Sequence, residues 1–173
     1  MDEFFDIVDE NNKVVGRASR RECHGNPALI HRTVHVVVFH PDGRLLLQKR
    51  SLDKDLLPGL WDTAVGGHLD LGETFEDAAR REFSEELGID PPDSFDYLFD
   101  SKIRNDIESE NVRVFSYIHS GPFRFQKEEI DEVRFWEFCE LRKAIKESPA
   151  IFTPNVILEI ERLMDIYKDK FKD

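Results

Sequence analysis

The chain has little cysteine and no apolar run long enough to cross a membrane. Its 173 residues include two cysteines, Cys23 and Cys139, which form neither a disulfide framework nor the spacing of a metal site. The N-terminal residues MDEFFDIVDE are acidic, which is not the pattern of a signal peptide. We therefore expect a cytoplasmic protein with no membrane partner.

Positive charge is also scarce. The 24 Lys and Arg residues against 36 Asp and Glu residues give a formal net charge of -12. An acidic surface repels a phosphate backbone, so we expect a small-molecule partner and no nucleic acid. The composition is otherwise globular, with 40% hydrophobic residues and 14 Phe, and the length predicts a single domain over residues 1–173.

The most informative segment is 67–89, which reads GHLDLGETFEDAARREFSEELGI. Thr74 followed by Asp77 predicts a helix N-terminus, and Gly88 is a typical residue just after a helix, so the helix should span about Phe75–Leu87. At helical spacing, the apolar stripe expected for it comprises Phe75, Ala78, Ala79, Phe83 and Leu87.

Three glutamates share one face of this predicted helix. Glu82, Glu85 and Glu86 stand at positions i, i+3 and i+4. Glu82 and Glu86 fall inside the apolar stripe and Glu85 lies at its edge, whereas a solvated acidic face would lie on the opposite side. Carboxylates that face inwards need a cation, and oxygen-only ligands suit Mg²⁺ or Mn²⁺.

The same segment resembles the Nudix box at every fixed position. The matching residues are Gly67, Glu73, Arg81, Glu82, Phe83, Glu85, Glu86, Gly88 and Ile89. The resemblance implies a Nudix α/β/α sandwich, in which a mixed, partly curved sheet lies between helices. It also implies a metal-dependent hydrolase that cleaves a diphosphate bond in a nucleoside diphosphate-type substrate. Bound cations would reconcile the acidic chain with an anionic substrate.

The resemblance implies roles for individual residues. The predicted catalytic residues are Glu73, Arg81, Glu82, Glu85 and Glu86. The three helical glutamates would bind the metal together with the carbonyl oxygen of Gly67. Arg81 would orient a glutamate through a charge-assisted bond and pair with Glu73. The general base is left open between a box glutamate and an acidic residue of the segment 127–132.

A second resemblance is to type I isopentenyl-diphosphate isomerase, a relative within the Nudix fold, through residues 45–61 and the Gly67-His68 pair. It implies that Arg50 and Lys54 bind the substrate diphosphate. It also implies further metal ligands, which are His31, His68, Glu108 and Glu110. Each of these has a structural alternative, a core histidine or an exposed strand face. The isomerase has a catalytic cysteine where this chain has Gly66, which favours hydrolysis.

The remaining pattern predicts strands and two further helices. The predicted strands are 4–8, 13–18, 31–39, 44–49, 61–65, 95–104, 110–119 and 133–139, and the further helices are 140–147 and 155–170. Three parts of the domain are distinguished: an N-terminal hairpin in 1–20, the box at 67–89 and a C-terminal helix in 153–171. Two other functions stay open, an isomerase-like enzyme and a nucleotide-sensing module without turnover. Homodimer formation through residues 1–20 is open as well.

Overall fold

The computed structural model of the chain describes residues 3–54 and 56–168. Within them, the strands are Phe4–Val8 (β1), Val14–Ser19 (β2), Ile30–Phe39 (β3), Leu45–Arg50 (β4), Trp61–Thr63 (β5), Val65–His68 (β6), Asp96–Arg104 (β7), Ser109–Ile118 (β8) and Ile130–Trp136 (β9). The α-helices are Arg20–Cys23 (α1), Phe75–Leu87 (α2), Phe138–Glu147 (α3) and Pro154–Ile166 (α4). None of these helices has the length and apolar character that a membrane span requires.

The helix of the box has the predicted bounds, for the predicted reasons. The Thr74 hydroxyl accepts a hydrogen bond from the Asp77 backbone N–H at 3.1 Å, which satisfies one of the unpaired donors of the first turn. Gly88 ends the helix in the left-handed conformation, with φ 64°, where a side chain would be strained. The five residues of the expected apolar stripe are all buried.

Other boundaries differ from the predictions by a few residues. The predicted strand at 61–65 is two strands, β5 and β6, because Ala64 interrupts the ladder. Helix α4 ends at Ile166, whereas the predicted C-terminal helix extends to 171, and residues 169–173 lie outside the described part of the chain. Helix α1 is absent from the predictions, since four residues carry too little periodicity.

The chain divides into two compact units, and the first comprises Met1–Val36 and Val65–Tyr117. In it, β1 and β2 form an antiparallel hairpin. Strand β6 pairs antiparallel with the first part of β3, with Thr33 opposite His68 and Val34 opposite Gly67. Strand β8 lies between β3 and β7 in the sheet, and α2 packs against β6. This packing places the box helix beside the glycines that precede it.

The second unit comprises Val37–Ala64 and Ile118–Asp173. Strand β4 is its centre and pairs antiparallel with β5, with β9 and with the last residues of β3. A parallel bridge joins Trp61 to Phe152. Trp61 is buried edge-to-face against Trp136, with ring centroids 5.2 Å apart, so it is a core residue. Strands and helices occur in both units, which is the predicted α/β class.

Candidate active site and metal centre

The box glutamates approach the chain where β6 contains two glycines. A Cβ atom at Gly67 would lie 2.0 Å from Cδ of Glu82 and 2.1 Å from its Oε1, so a side chain at this position would overlap the carboxylate. The Gly66 backbone N–H donates to Glu86 Oε2 at 3.2 Å. Two of the three predicted metal ligands therefore lie against the segment that carries the predicted carbonyl ligand.

Arg81 holds the rest of the box together. Its Nε and Nη2 donate to the two oxygens of Glu73 at 3.0 and 2.8 Å, which is the predicted pairing. Its Nη1 lies 2.6 Å from Glu82 Oε1 and 3.4 Å from Glu85 Oε2. Nη2 also donates to the backbone carbonyl of His68 at 2.9 Å. One guanidinium thus ties the loop before α2, the helix face and the end of β6.

The charges of the box are not fully compensated by Arg81. Burial raises the pKa of Glu82 to about 7, although the adjacent Arg81 acts in the opposite direction. Glu73 is also partly buried, but its hydrogen bonds from Arg81 keep its pKa below the ordinary value. Glu85 is exposed and Glu86 is half-buried. A buried carboxylate beside two further carboxylates fits a divalent cation with oxygen ligands.

A second group of side chains that can bind a metal lies in the same unit. It brings together all four further metal ligands that the isomerase resemblance implies. Its members are His24, His31, His68, Glu108 and Glu110. We call this group the histidine centre. Within the described residues, one ligand atom of each of the three histidines lies within 4.8 Å of the others, and the same holds for His31 with the two glutamates. The box glutamates belong to neither of these two close groups.

The distances within the histidine centre match those between ligands of one ion. Glu110 Oε1 lies 3.4 Å from His31 Nε2 and 3.2 Å from His68 Nε2. His24 Nε2 lies 3.3 Å from His68 Nε2 and 3.6 Å from Glu108 Oε2. Metal–nitrogen and metal–oxygen bonds of about 2.1 Å at right angles separate neighbouring donor atoms by about 3.0 Å. These four distances are therefore close to the spacing of neighbouring donor atoms around one ion.

The histidine side chains of the centre are also suited to bind a cation. His31 is fully buried; among the described residues its Nε2 makes no well-formed hydrogen bond, although Glu110 Oε1 lies 3.4 Å away, and its Nδ1 lies 3.4 Å from the Leu29 carbonyl oxygen. If Nδ1 donates to that carbonyl, a neutral ring has its lone pair on Nε2, the atom that faces Glu110. Burial and the neighbouring His68 lower the pKa of His24 to about 4, so this imidazole is neutral at pH 7. The donor set of imidazoles and carboxylates fits a divalent transition metal such as Zn²⁺.

Glu110 is the anionic member of the centre. Its burial by itself would raise its pKa, but the imidazoles of His31 and His68 beside it hold the pKa well below its usual range. Thr33 donates its hydroxyl to Glu110 Oε2 at 3.2 Å. Burial and the charge of Glu110 raise the pKa of Glu108. An ionised Glu110 with one oxygen held by Thr33 leaves the other oxygen directed at the histidines.

His24 is the member of this centre that sequence reasoning missed. It directly follows α1, whose start is fixed by a capping box between Ser19 and Glu22. The Ser19-to-Glu22 spacing is visible in the sequence. It could have predicted a short helix that ends just before a histidine. The histidine itself has no local signal, since its partners are distant in the chain.

The two predicted diphosphate-binding residues lie in the second unit and have protein partners. Arg50 donates from Nε and Nη2 to the Leu56 carbonyl at 3.1 and 3.0 Å, and from Nη1 to Asp62 at 3.2 Å. Lys54 forms an ion pair with Glu129, one of the acidic residues of the segment 127–132. Diphosphate binding by Arg50 and Lys54 stays a prediction.

The family model of the NUDIX domain matches residues 29–156. The chain belongs to the NUDIX family. This Nudix protein is 34% identical over 184 residues to Nudix hydrolase 3 from Arabidopsis thaliana, and the match covers 98% of the chain but 24% of that relative. It is 33% identical over 159 residues to Isopentenyl-diphosphate Delta-isomerase 2 from Photorhabdus laumondii, covering 88% of each.

Among solved structures, this Nudix protein is similar to DR0079 from Deinococcus radiodurans. The TM-score is 0.78 with 24% identity, and the match covers 92% of this chain and 98% of DR0079. The likeness confirms the predicted α/β class with a mixed sheet flanked by helices. Membership of the family, with relatives named as Nudix hydrolases, supports a pyrophosphohydrolase. Residues 1–28, including His24, precede the part that the family model matches.

Proposed function

We propose that this Nudix protein is a Mg²⁺- or Mn²⁺-dependent hydrolase that cleaves the diphosphate bond of a nucleoside diphosphate-type substrate. The observation that supports the proposal is the approach of Glu82 to Gly67, where a Cβ atom would lie 2.0 Å from Cδ of the glutamate, so that a side chain could enter only by displacing the carboxylate. A partly buried carboxylate thus lies against the backbone of Gly67, and carboxylate and carbonyl oxygens are the donors that Mg²⁺ prefers.

In this proposal the box glutamates Glu82, Glu85 and Glu86 hold the cation, with the Gly67 carbonyl as a further ligand. A divalent cation held there would stabilise negative charge on the phosphoryl oxygens of the substrate. Arg81 orients Glu82 through the contact at 2.6 Å, and Glu73 fixes Arg81 from the other side. Because these contacts restrict the glutamate side chains, the carboxylates are held in place before the substrate binds.

Substrate binding is assigned to Arg50 and Lys54. In the structure, the Arg50 guanidinium forms an ion pair with Asp62, and the Lys54 ammonium forms one with Glu129. Phosphate oxygens would replace or share those carboxylates, since guanidinium and ammonium groups bind both kinds of anion. The base that activates water is either a box glutamate or an acid of the segment 127–132.

A second cation is assigned to the histidine centre. The support is the meeting of imidazoles and a carboxylate at Glu110 Oε1, which lies 3.4 Å from His31 Nε2 and 3.2 Å from His68 Nε2, together with the neutral imidazole of His24. Imidazole ligands favour Zn²⁺ and other later transition metals, whereas carboxylate and carbonyl ligands suit Mg²⁺ and Mn²⁺. The two centres would therefore differ in the ion they prefer.

The proposal is tested by replacing the box carboxylates singly. Glu85→Gln and Glu86→Gln keep side-chain size and remove the charge, so we expect hydrolysis of a nucleotide panel with Mg²⁺ to fall at least tenfold. Glu76→Gln is the matched control, because Glu76 is an exposed glutamate in the first turn of the same helix. Released phosphate and product masses give the rate and the phosphorus attacked. Wild-type activity in both box variants would overturn the metal assignment.

An isoprenoid-diphosphate isomerase is a second candidate, favoured by the histidine centre and by the Photorhabdus laumondii relative named as an isomerase. Gly66 argues against it, because no thiol stands at the position before Gly67-His68. Incubation of the purified protein with isopentenyl diphosphate decides the matter. Formation of an isomeric diphosphate without released phosphate would favour this second candidate.

A further inference from the structure

The aromatic ring of Phe5 lies flat against the histidine centre. Its centroid is 4.5 Å from that of His68, with an interplanar angle of 16°, and 5.3 Å from that of His31, with an angle of 11°. The two imidazoles are themselves stacked, 5.1 Å apart. Phe5 is 1% exposed. One phenyl ring thus covers two of the three imidazoles and separates them from water on that side.

The hairpin that carries Phe5 is fixed to its unit by polar contacts beside Phe5 and at the turn. The carboxylate of Asp6 accepts from Arg32 at 2.9 Å and from the Gly72 backbone N–H at 2.9 Å. At the turn, Asn111 donates to the Asp9 carbonyl at 3.1 Å and to the Asn12 side chain at 2.8 Å. The position of the Phe5 ring is therefore set by several independent contacts.

We infer that Phe5 is a positioning residue for the histidine centre. The inference rests on the proposed function, because it concerns the cation assigned to that centre. A ring stacked nearly parallel to two imidazoles restricts rotation about their side-chain bonds and keeps both Nε2 atoms directed at Glu110. It also keeps water from competing for the ligand atoms, and an apolar wall around a metal site tunes its affinity.

Packing alone does not account for this placement. Phe5 belongs to a small buried cluster with Ile7, Ala18 and Cys23, and Phe5 contributes the ring that stacks on the imidazoles. The family model begins at residue 29, so Phe5 is an addition from the N-terminal hairpin to a centre whose other members, apart from His24, lie within the matched region.

The experiment compares Phe5→Leu with Ile7→Ala. Phe5→Leu removes the ring and keeps an apolar side chain, while Ile7→Ala removes packing from the same cluster and leaves the ring in place. The probe is Co²⁺ alone, titrated into the purified full chain and followed by paramagnetically shifted imidazole N–H proton resonances. These signals report histidine ligands, and the box contains none among its predicted ligands.

We expect Phe5→Leu to weaken Co²⁺ binding about tenfold and to move the imidazole resonances, with Ile7→Ala remaining like wild type. Equal effects in both variants, or wild-type behaviour in Phe5→Leu, would overturn the inference and leave the cation assignment intact. If wild type itself gives no shifted imidazole resonances, the assigned second cation fails instead. Should Phe5→Leu not fold, Phe5→Met replaces it in the same comparison.

Discussion

Replacing Gly67 by alanine gives the most direct test of the box geometry. The new Cβ would lie 2.0 Å from Cδ of Glu82, whereas carbon atoms in contact prefer a separation of about 3.5–4.0 Å. The Glu82 carboxylate must therefore move by about 1.5 Å or more. Because its oxygen lies 2.6 Å from Arg81 Nη1, a displacement of that size breaks the contact.

The size of the effect of Gly67→Ala follows from the contact between Arg81 and Glu82 that it removes. A hydrogen bond between charged groups contributes about 1.5–3 kcal/mol, and Arg81 keeps its two bonds to Glu73, so we expect the fold to survive. Loss of the group that orients a metal ligand lowers the affinity for the metal roughly 10- to 100-fold. We therefore expect Gly67→Ala to weaken Mn²⁺ binding at the box by roughly that factor.

Calorimetric titration with Mn²⁺, together with the Mg²⁺ dependence of hydrolysis, measures this loss. Gly16→Ala is the control, since a Cβ there has Ile7 Cβ as its nearest neighbour at 4.0 Å, an ordinary contact. Thermal melts establish that both variants are folded. If Gly67→Ala binds Mn²⁺ and hydrolyses substrate like Gly16→Ala, the close approach of Glu82 to β6 has no role in cation binding.

Two further predictions concern the two cysteines and the core. Burial raises the pKa of Cys23 to about 11, so its thiolate is scarce at pH 8 and grows about tenfold per pH unit towards pH 11. Exposed Cys139 should accept iodoacetamide at pH 8 and Cys23 should not, as peptide masses will show; equal labelling contradicts the burial argument. Phe83 is fully buried, edge-to-face with Phe95 at 5.2 Å and Tyr117 at 5.6 Å. Phe83→Ala should therefore lower the free energy of unfolding by about 3–5 kcal/mol in a urea titration, and a change below about 1 kcal/mol would contradict this packing.

The sequence predicts α2 closely because every signal for it is local. Thr74 begins the helix, Gly88 ends it, and the apolar stripe lies between them, so the two sets of signals agree on one helix. The inward phase of Glu82 followed from the same periodicity. The pairing of Arg81 with Glu73 was also predictable, since both positions belong to one short motif.

The histidine centre was predictable only in part, because its members meet through tertiary structure. His31, His68, Glu108 and Glu110 entered through resemblance alone, and His24 had no signal at all. The stacking of Phe5 on two imidazoles depends on where the N-terminal hairpin docks, which no local pattern encodes. The partners of Arg50 and Lys54 are likewise products of the folded loop.

The step from Gly67 to His68 along β6 has a consequence for insertions and deletions. Successive residues of a strand point to opposite sides. Gly67 therefore turns its missing side chain to Glu82, and His68 turns its ring the other way, towards Glu110. A slip of one residue against Thr33 and Val34 would exchange these directions and place an imidazole where the carboxylate lies. A single-residue insertion within the strand would therefore disrupt the box and the histidine centre together.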